Sequence, residues 1–156
     1  MRQGNKIGDP NMETSSFDKN GVVLVGYDGS EYAQEALDYA AQEAKLRGAS
    51  VAIAIAWEIG GYDFGVTAGT LKTLSHAAEA ILETGAAFMR DKYPDVAFQT
   101  HLLEGEPAYA LIELAKEADM VVVGARGRGG FSALLLGSVS DQLIHHAEVP
   151  VLVVRH

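Results

Sequence analysis

Five short apolar runs, each separated from the next by a stretch with helical period, limit this chain to few folds. They are 22–25 (VVLV), 50–57 (SVAIAIAW), 96–105 (VAFQTHLLEG), 119–125 (DMVVVGA) and 149–156 (VPVLVVRH), most of them rich in β-branched residues. Apolar runs of this kind read as strands buried on both faces, and only the third shows partial alternation. Pro150 is tolerable at the start of the last. Between the first two runs, Ala33, Ala36, Leu37, Ala40 and Ala44 keep a helical period, and Gly48 stops it. Leu71, Leu74, Ala78, Ile81, Gly85 and Phe88 fall on one stripe of a second helix, from about 70 to 93. Pro107 suits the first turn of a third helix, running to about 118, and a fourth ends near His146. The order β-α-β-α-β-α-β-α-β predicts an α/β fold: a parallel sheet of five strands with helices on both faces and right-handed crossovers. In such open sheets a ligand lies beyond the carboxyl ends of the strands, where strand order reverses. The first and fourth strands end in GYDGS and GARGRGG, both marked by glycine.

The 156 residues fit one domain, and with 48% apolar residues the chain can bury a sizeable core. The first 20 residues are polar and aperiodic and read as a flexible tail, leaving 21–156 as the folded domain. They have no apolar core of a signal peptide, and no run reaches the length of a membrane span, so a cytoplasmic location is expected. There are no cysteines, which excludes disulfides and thiolate metal sites. The net charge of −9 disfavours nucleic acid and anionic membranes as partners. Any anion must therefore be held locally, against the overall field. The segment 58–69 (EIGGYDFGVTAG) is a long aperiodic loop, and we read it as a lid beside the ligand.

The most informative stretch is 121–142, VVVGARGRGGFSALLLGSVSDQ. Gly124, Gly127, Gly137 and Ser138 are spaced G-x2-G-x9-G-S. Glycines after a strand allow close approach of a ligand to the backbone. Gly137 and Ser138 open a helix, whose free N–H groups and dipole favour an anion. Together they form a credible cradle for a triphosphate. It is not a P-loop, because Leu136 and Gly137 stand where that motif needs glycine and lysine before the serine. Arg126 and Arg128, or a divalent ion, are the candidate sources of positive charge. The plain alternative is a flexible strand-to-helix connection.

Asp28 has two readings. It can face a ligand, or it can cap the first helix through the Asp28-x-x-Glu31 box, with Ser30 as the alternative cap. Spacing favours the cap. His145 and His146 belong at a helix end, where a histidine suits the dipole. Trp57 reads as core or as a flank of a base pocket. No nucleophile elbow and no metal-ligand spacing is present, so no catalytic residue is assigned.

The stretches VLVGYDGSEYAQEAL and VVVGARGRGGFSALLLGSVSDQLIHHAEVPVLVV, with the five-strand pattern between them, resemble the universal stress protein family over about residues 21–155. The glycine motif resembles that of its ATP-binding branch. The resemblance implies a single Rossmann-like, three-layer domain with strand order 3-2-1-4-5. It implies ATP, with Mg carried through the phosphates, as ligand, and a homodimer formed through the C-terminal strand 150–155. It places Asp28 at the nucleoside, the backbone of Ala56 at adenine, and Val123, Gly124 and Gly127 at ribose and phosphates. Gly137, Ser138, Val139 and Ser140 would hold the phosphates, with Arg126 and Arg128 beside them. Gly26-Tyr27-Asp28 departs from the Pro-Val-Asp or Pro-Thr-Asp of many members, so the bulk of Tyr27 is expected to alter the adenine pocket. Arg126 replaces a common histidine. The expected role is a nucleotide-binding regulator of stress responses. A slow ATPase or related adenine-nucleotide enzyme is one alternative, and a ligand-free partner-binding module is the other.

Overall fold

The computed structural model describes residues 5–6, 20–58, 67–129 and 135–155. Their elements run in chain order β1 (Asn5–Lys6), β2 (Val22–Gly26), α1 (Glu31–Arg47), β3 (Ser50–Trp57), α2 (Ala68–Lys92), β4 (Phe98–Glu104), α3 (Pro107–Ala115), β5 (Met120–Gly124), α4 (Ser138–His146) and β6 (Val151–Val154). The sheet order is β1-β4-β3-β2-β5-β6, with every pair parallel. The five strands expected from the sequence thus stand in the order 3-2-1-4-5. Within the segment expected to be a tail, Asn5–Lys6 adds a short strand opposite His101 and Leu102 at the outer edge of β4. The proposed lid falls largely outside the described residues.

The central strands β2, β3 and β5 are buried because their apolar runs leave no polar face. Val23, Val25, Val51, Ile53 and Val122 pack under α1 and α2, while Val22, Leu24, Ala52, Ala54, Val121 and Val123 pack with Leu111 of α3 and Leu143 of α4. Alanines at 33, 36, 40, 41 and 44 let α1 lie close on the central strands. In α2 burial begins only at Ala78 and follows Leu82, Gly85, Ala86 and Met89, so the core stripe serves only about the last four turns. Ile81 and Phe88 of the expected stripe lie at its margin, and Leu74 is exposed. The helix α3 closes early, and bonds from Lys116, Glu117 and Ala118 back to residues 113–115 tighten the chain into β5.

The amino ends of α1, α2 and α3 are capped by side chains. Ser30 accepts from Ala33 N–H, Thr67 from Thr70 N–H, and Glu106 from the N–H groups of Ala108 and Tyr109. The expected cap at Asp28 is thereby assigned to Ser30, the alternative, because Ser30 is one residue from the helix and Asp28 is three.

A cross-brace joins α1 to the end of α2. Asp38 accepts from Lys92 Nζ at 2.6 Å, Tyr93 Oη at 2.7 Å and Gln42 Nε2 at 3.0 Å. Burial by itself would raise the Asp38 carboxyl, but these donors and the Lys92 charge outweigh it and hold the group below the usual carboxylate range. A carboxylate lowered on folding stabilises above its unfolded pKa, about 4, and loses that contribution as pH falls through the folded value. We expect Asp38→Asn to lower the melting temperature at pH 7 by about 2–4 °C. The gap between variant and wild type should narrow below about pH 4. Thermal melts across pH check both, and a gap that stays constant with pH would contradict the brace.

Candidate functional site

The site follows from the strand order. The adjacent central strands β2 and β5 send the chain to opposite faces of the sheet, β2 into α1 and β5 into α4. The connections diverge at Gly26 and Gly124 and leave a crevice between them, at the point where strand order reverses.

Two turns approach each other across this crevice. Asp28 Oδ1 accepts from Ser30 N–H at 2.9 Å, and Asp28 Oδ2 accepts from Arg128 N–H at 3.0 Å. The second bond ties the end of β2 to the glycine loop. Gly127 makes it possible, because a Cβ there would stand 2.6 Å from Asp28 Oδ2. Gly124 answers a different need, since its Cβ would meet Cβ, C and O of Tyr32 at 2.6, 2.8 and 2.9 Å. It is the contact point between β5 and the first turn of α1. Gly137 is under no such pressure, with its nearest potential contacts at 3.4–3.6 Å.

The base of the glycine loop is stapled at one carbonyl. Ala125 O accepts from Gly137 N–H at 2.6 Å, and Ser140 Oγ lies 3.0 Å from both Ala125 O and Gly137 O. Ser140 is buried with its hydroxyl committed to these carbonyls, so it offers a ligand its backbone N–H rather than its side chain. Ser138 is exposed and Val139 half-buried. The amino end of α4 thereby faces the crevice with Gly137 as N-cap and no side-chain cap. Among the four helices of the described residues it alone lacks one. The N–H groups of Ser138, Val139 and Ser140 have no partner within the helix.

Positive charge lies at the same place. Arg128 is exposed and Arg126 half-buried, and neither forms an ion pair among the described residues. The Arg128 guanidinium lies along the β2–α1 turn, with Nη2 3.5 Å from where a Cβ on Gly29 would be. On the other side, β2–β3 pairing ends at Gly26 opposite Ala54, and Tyr27 N–H bonds Ala54 O. Ala56, two residues further along β3, turns its N–H and C=O to the same side, beyond the end of β2. The crevice therefore combines an edge of bare backbone with an uncapped helix end, and the loop between β5 and α4 carries Arg126 and Arg128, a set suited to a flat polar group joined to an anion.

Not every residue predicted for the site lines it. The Val123 side chain is core, leaving only its backbone near the crevice. The Tyr27 ring is buried against Gly85 of α2, with its hydroxyl 3.1 Å from Gln34 Oε1 and 2.9 Å from Thr84 Oγ1. Its bulk is taken up between α1 and α2. His145 and His146 close α4 and are exposed. Trp57 packs at the margin of the core under α2. Sequence reasoning missed the Asp28–Arg128 bond, the Tyr32 contact and the grip on the Ala125 carbonyl, none of which leaves a local sequence signal.

Residues 19–155 match the Universal stress protein family. This chain belongs to that family. A universal stress protein of Mycolicibacterium smegmatis is 37% identical over 144 residues, covering 92% of this chain and 48% of the relative. The chain spans about half the length of the curated relatives it matches. Among solved structures, a universal stress protein in complex with cAMP is 33% identical with a TM-score of 0.66, covering 86% of this chain and 96% of that one. The Archaeoglobus fulgidus universal stress protein in complex with dAMP is 25% identical with a TM-score of 0.66, covering 85% and 96%. This universal stress protein thus shares its fold with family members solved bound to adenine nucleotides. Among its described residues no helix is long and apolar enough to cross a membrane, and no group of three or more His, Asp or Glu is placed to hold a metal.

Proposed function

We propose that this universal stress protein binds ATP in the crevice between β2 and β5 and acts as a nucleotide-binding regulator in the stress response. The observation that carries this reading is the uncapped amino end of α4, preceded by a loop whose Arg126 and Arg128 form no ion pair among the described residues, in a chain of net charge −9. Three free N–H groups and two nearby cations are more than one phosphate needs and suit a phosphate chain. The N–H groups of Ser138, Val139 and Ser140 take the terminal phosphates, with Gly137 giving room and the Ser138 hydroxyl adding a donor. Gly124 and Gly127 let the ribose and inner phosphate approach, Arg126 and Arg128 balance charge, and the Ala56 backbone meets adenine. Mg rides on the phosphates. The relatives solved with cAMP and dAMP support the adenine part of this reading.

The test is calorimetric titration of the purified protein with ATP, with AMP alongside. ATP should bind, raise the melting temperature and outcompete AMP. The Arg126→Ala/Arg128→Ala double variant should bind ATP about tenfold or more weakly. Absence of ATP binding at millimolar concentration refutes the proposal.

We further propose that the protein pairs with a second copy through β6. Among the described residues that strand ends the sheet with β5 as its one partner, and Val151, Leu152 and Val153 remain part-exposed. An apolar edge of this kind calls for cover, and two-fold pairing of β6 with its copy supplies it. Light scattering on the same preparation should report a dimer at micromolar concentration, and a monomer there ends this part of the proposal.

A further inference from the structure

Asp28 poses a problem for any anion site. It places a carboxylate beside the loop that carries Arg126 and Arg128, in a chain already strongly acidic. Its geometry explains its presence. Each oxygen accepts a backbone N–H, Ser30 on the near side and Arg128 on the far side, a partner 100 residues away in sequence. Gly127 has no side chain at the one place where a Cβ would strike Oδ2, and Gly29, at φ +78°, gives the tight turn that brings Ser30 N–H to Oδ1. Both turns are thus shaped around this carboxylate. The same turn is anchored from behind by the buried Tyr27 ring, so the carboxylate sits on a rigid support.

We propose that Asp28 is a positioning residue, a latch that fixes the Arg126–Arg128 segment against the β2–α1 turn and acts on the phosphate end of the ligand, rather than a group that reads the nucleoside. This rests on the nucleotide reading above and changes the part Asp28 plays in it. Without the latch, the segment 126–129 is held at Ala125 alone on this side, and the backbone that carries Arg126 and Arg128 loses its fixed place beside the β2–α1 turn. Gly127 is the seat of the latch, so its substitution and that of Asp28 strike the same contact.

The test uses the full chain and two probes, Mg-ATP and Mg-tripolyphosphate, the second carrying no nucleoside. Asp28→Ala should weaken both by the same factor, about tenfold. Asp28→Asn, which keeps one acceptor oxygen, should give a smaller loss shared equally by the two. A variant that loses ATP while holding tripolyphosphate unchanged overturns the proposal, because that is the signature of direct nucleoside contact. In the ligand-free protein, the Arg128 amide should exchange with solvent about tenfold faster in Asp28→Ala while the core amide of Val122 is unaffected. Unchanged exchange at Arg128 also overturns it. Gly127→Ala should weaken the probes in the wild-type background and add nothing in the Asp28→Ala background, and additive losses count against a shared contact. If neither probe binds the wild-type protein, the nucleotide reading falls, and the exchange measurement alone decides whether the latch exists.

Discussion

Replacing Gly124 by alanine should destabilise the protein by about 3 kcal/mol, a fall in melting temperature of about 6–12 °C. The added methyl would lie within 3 Å of three Tyr32 atoms, two of them backbone. A flexible side chain can swing aside at little cost, but Tyr32 C and O belong to the first turn of α1, and α1 is seated on the central strands by its alanines. Relief requires moving the helix or bending β5, and either loosens the core. Gly137→Ala is the matched control. Its backbone has φ −75° and ψ 166°, which any residue adopts, and its nearest contacts are ordinary. It should cost less than about 1 kcal/mol. Urea or thermal unfolding of the two variants side by side measures the difference. Equal stability would mean that Gly124 is not the contact point described.

Ser138→Asp should move stability and binding in opposite directions. An acidic residue in the first turn of a helix interacts favourably with its dipole, by about 0.3–1 kcal/mol. The amino end of α4 lacks a side-chain cap, so this gain should be realised and the melting temperature should rise. The same charge occupies the place proposed for the phosphates. Two unit charges about 4 Å apart in water repel by about 1 kcal/mol, and a phosphate chain carries more than one. ATP affinity should fall by about tenfold to a hundredfold. Melting curves with and without ATP read both effects in one experiment. A stabilised variant that binds ATP like wild type would move the phosphate site away from α4. A variant that loses both stability and binding would show only that the helix end was damaged.

The elements were legible because each rests on a local pattern. Apolar runs such as 121–123 are buried on both faces, and Ala36, Leu37, Ala40 and Ala44 lie where their period places them. The glycine motif marks the end of β5 and the start of α4, since strand ends and helix starts are written in consecutive residues. Sequence and structure part where a pattern meets a surface that the sequence does not describe. The stripe predicted on α2 starts at Leu71, but burial begins only at Ala78 and Leu74 is exposed. Asp28 and Ser30 both satisfy the composition rule for a cap, and only the backbone path, which puts Ser30 next to the helix, separates them.

By itself the sequence determined the five strands, the four helices, the absence of thiol chemistry and a glycine-marked switch point, all of which follow from residue type and spacing. The tertiary structure decided what each marked residue is for. Gly124 and Gly127 look alike in the motif, yet one clears the backbone of α1 and the other clears a carboxylate from the far turn. Ser138 and Ser140 sit two positions apart on one helix, which turns the first outward and buries the second against Ala125 O. Asp28 reads as a local cap until the fold brings Arg128 to it across 100 residues. Local periodicity fixes which segments form, but the distance between two turns exists only once the sheet has placed β2 beside β5.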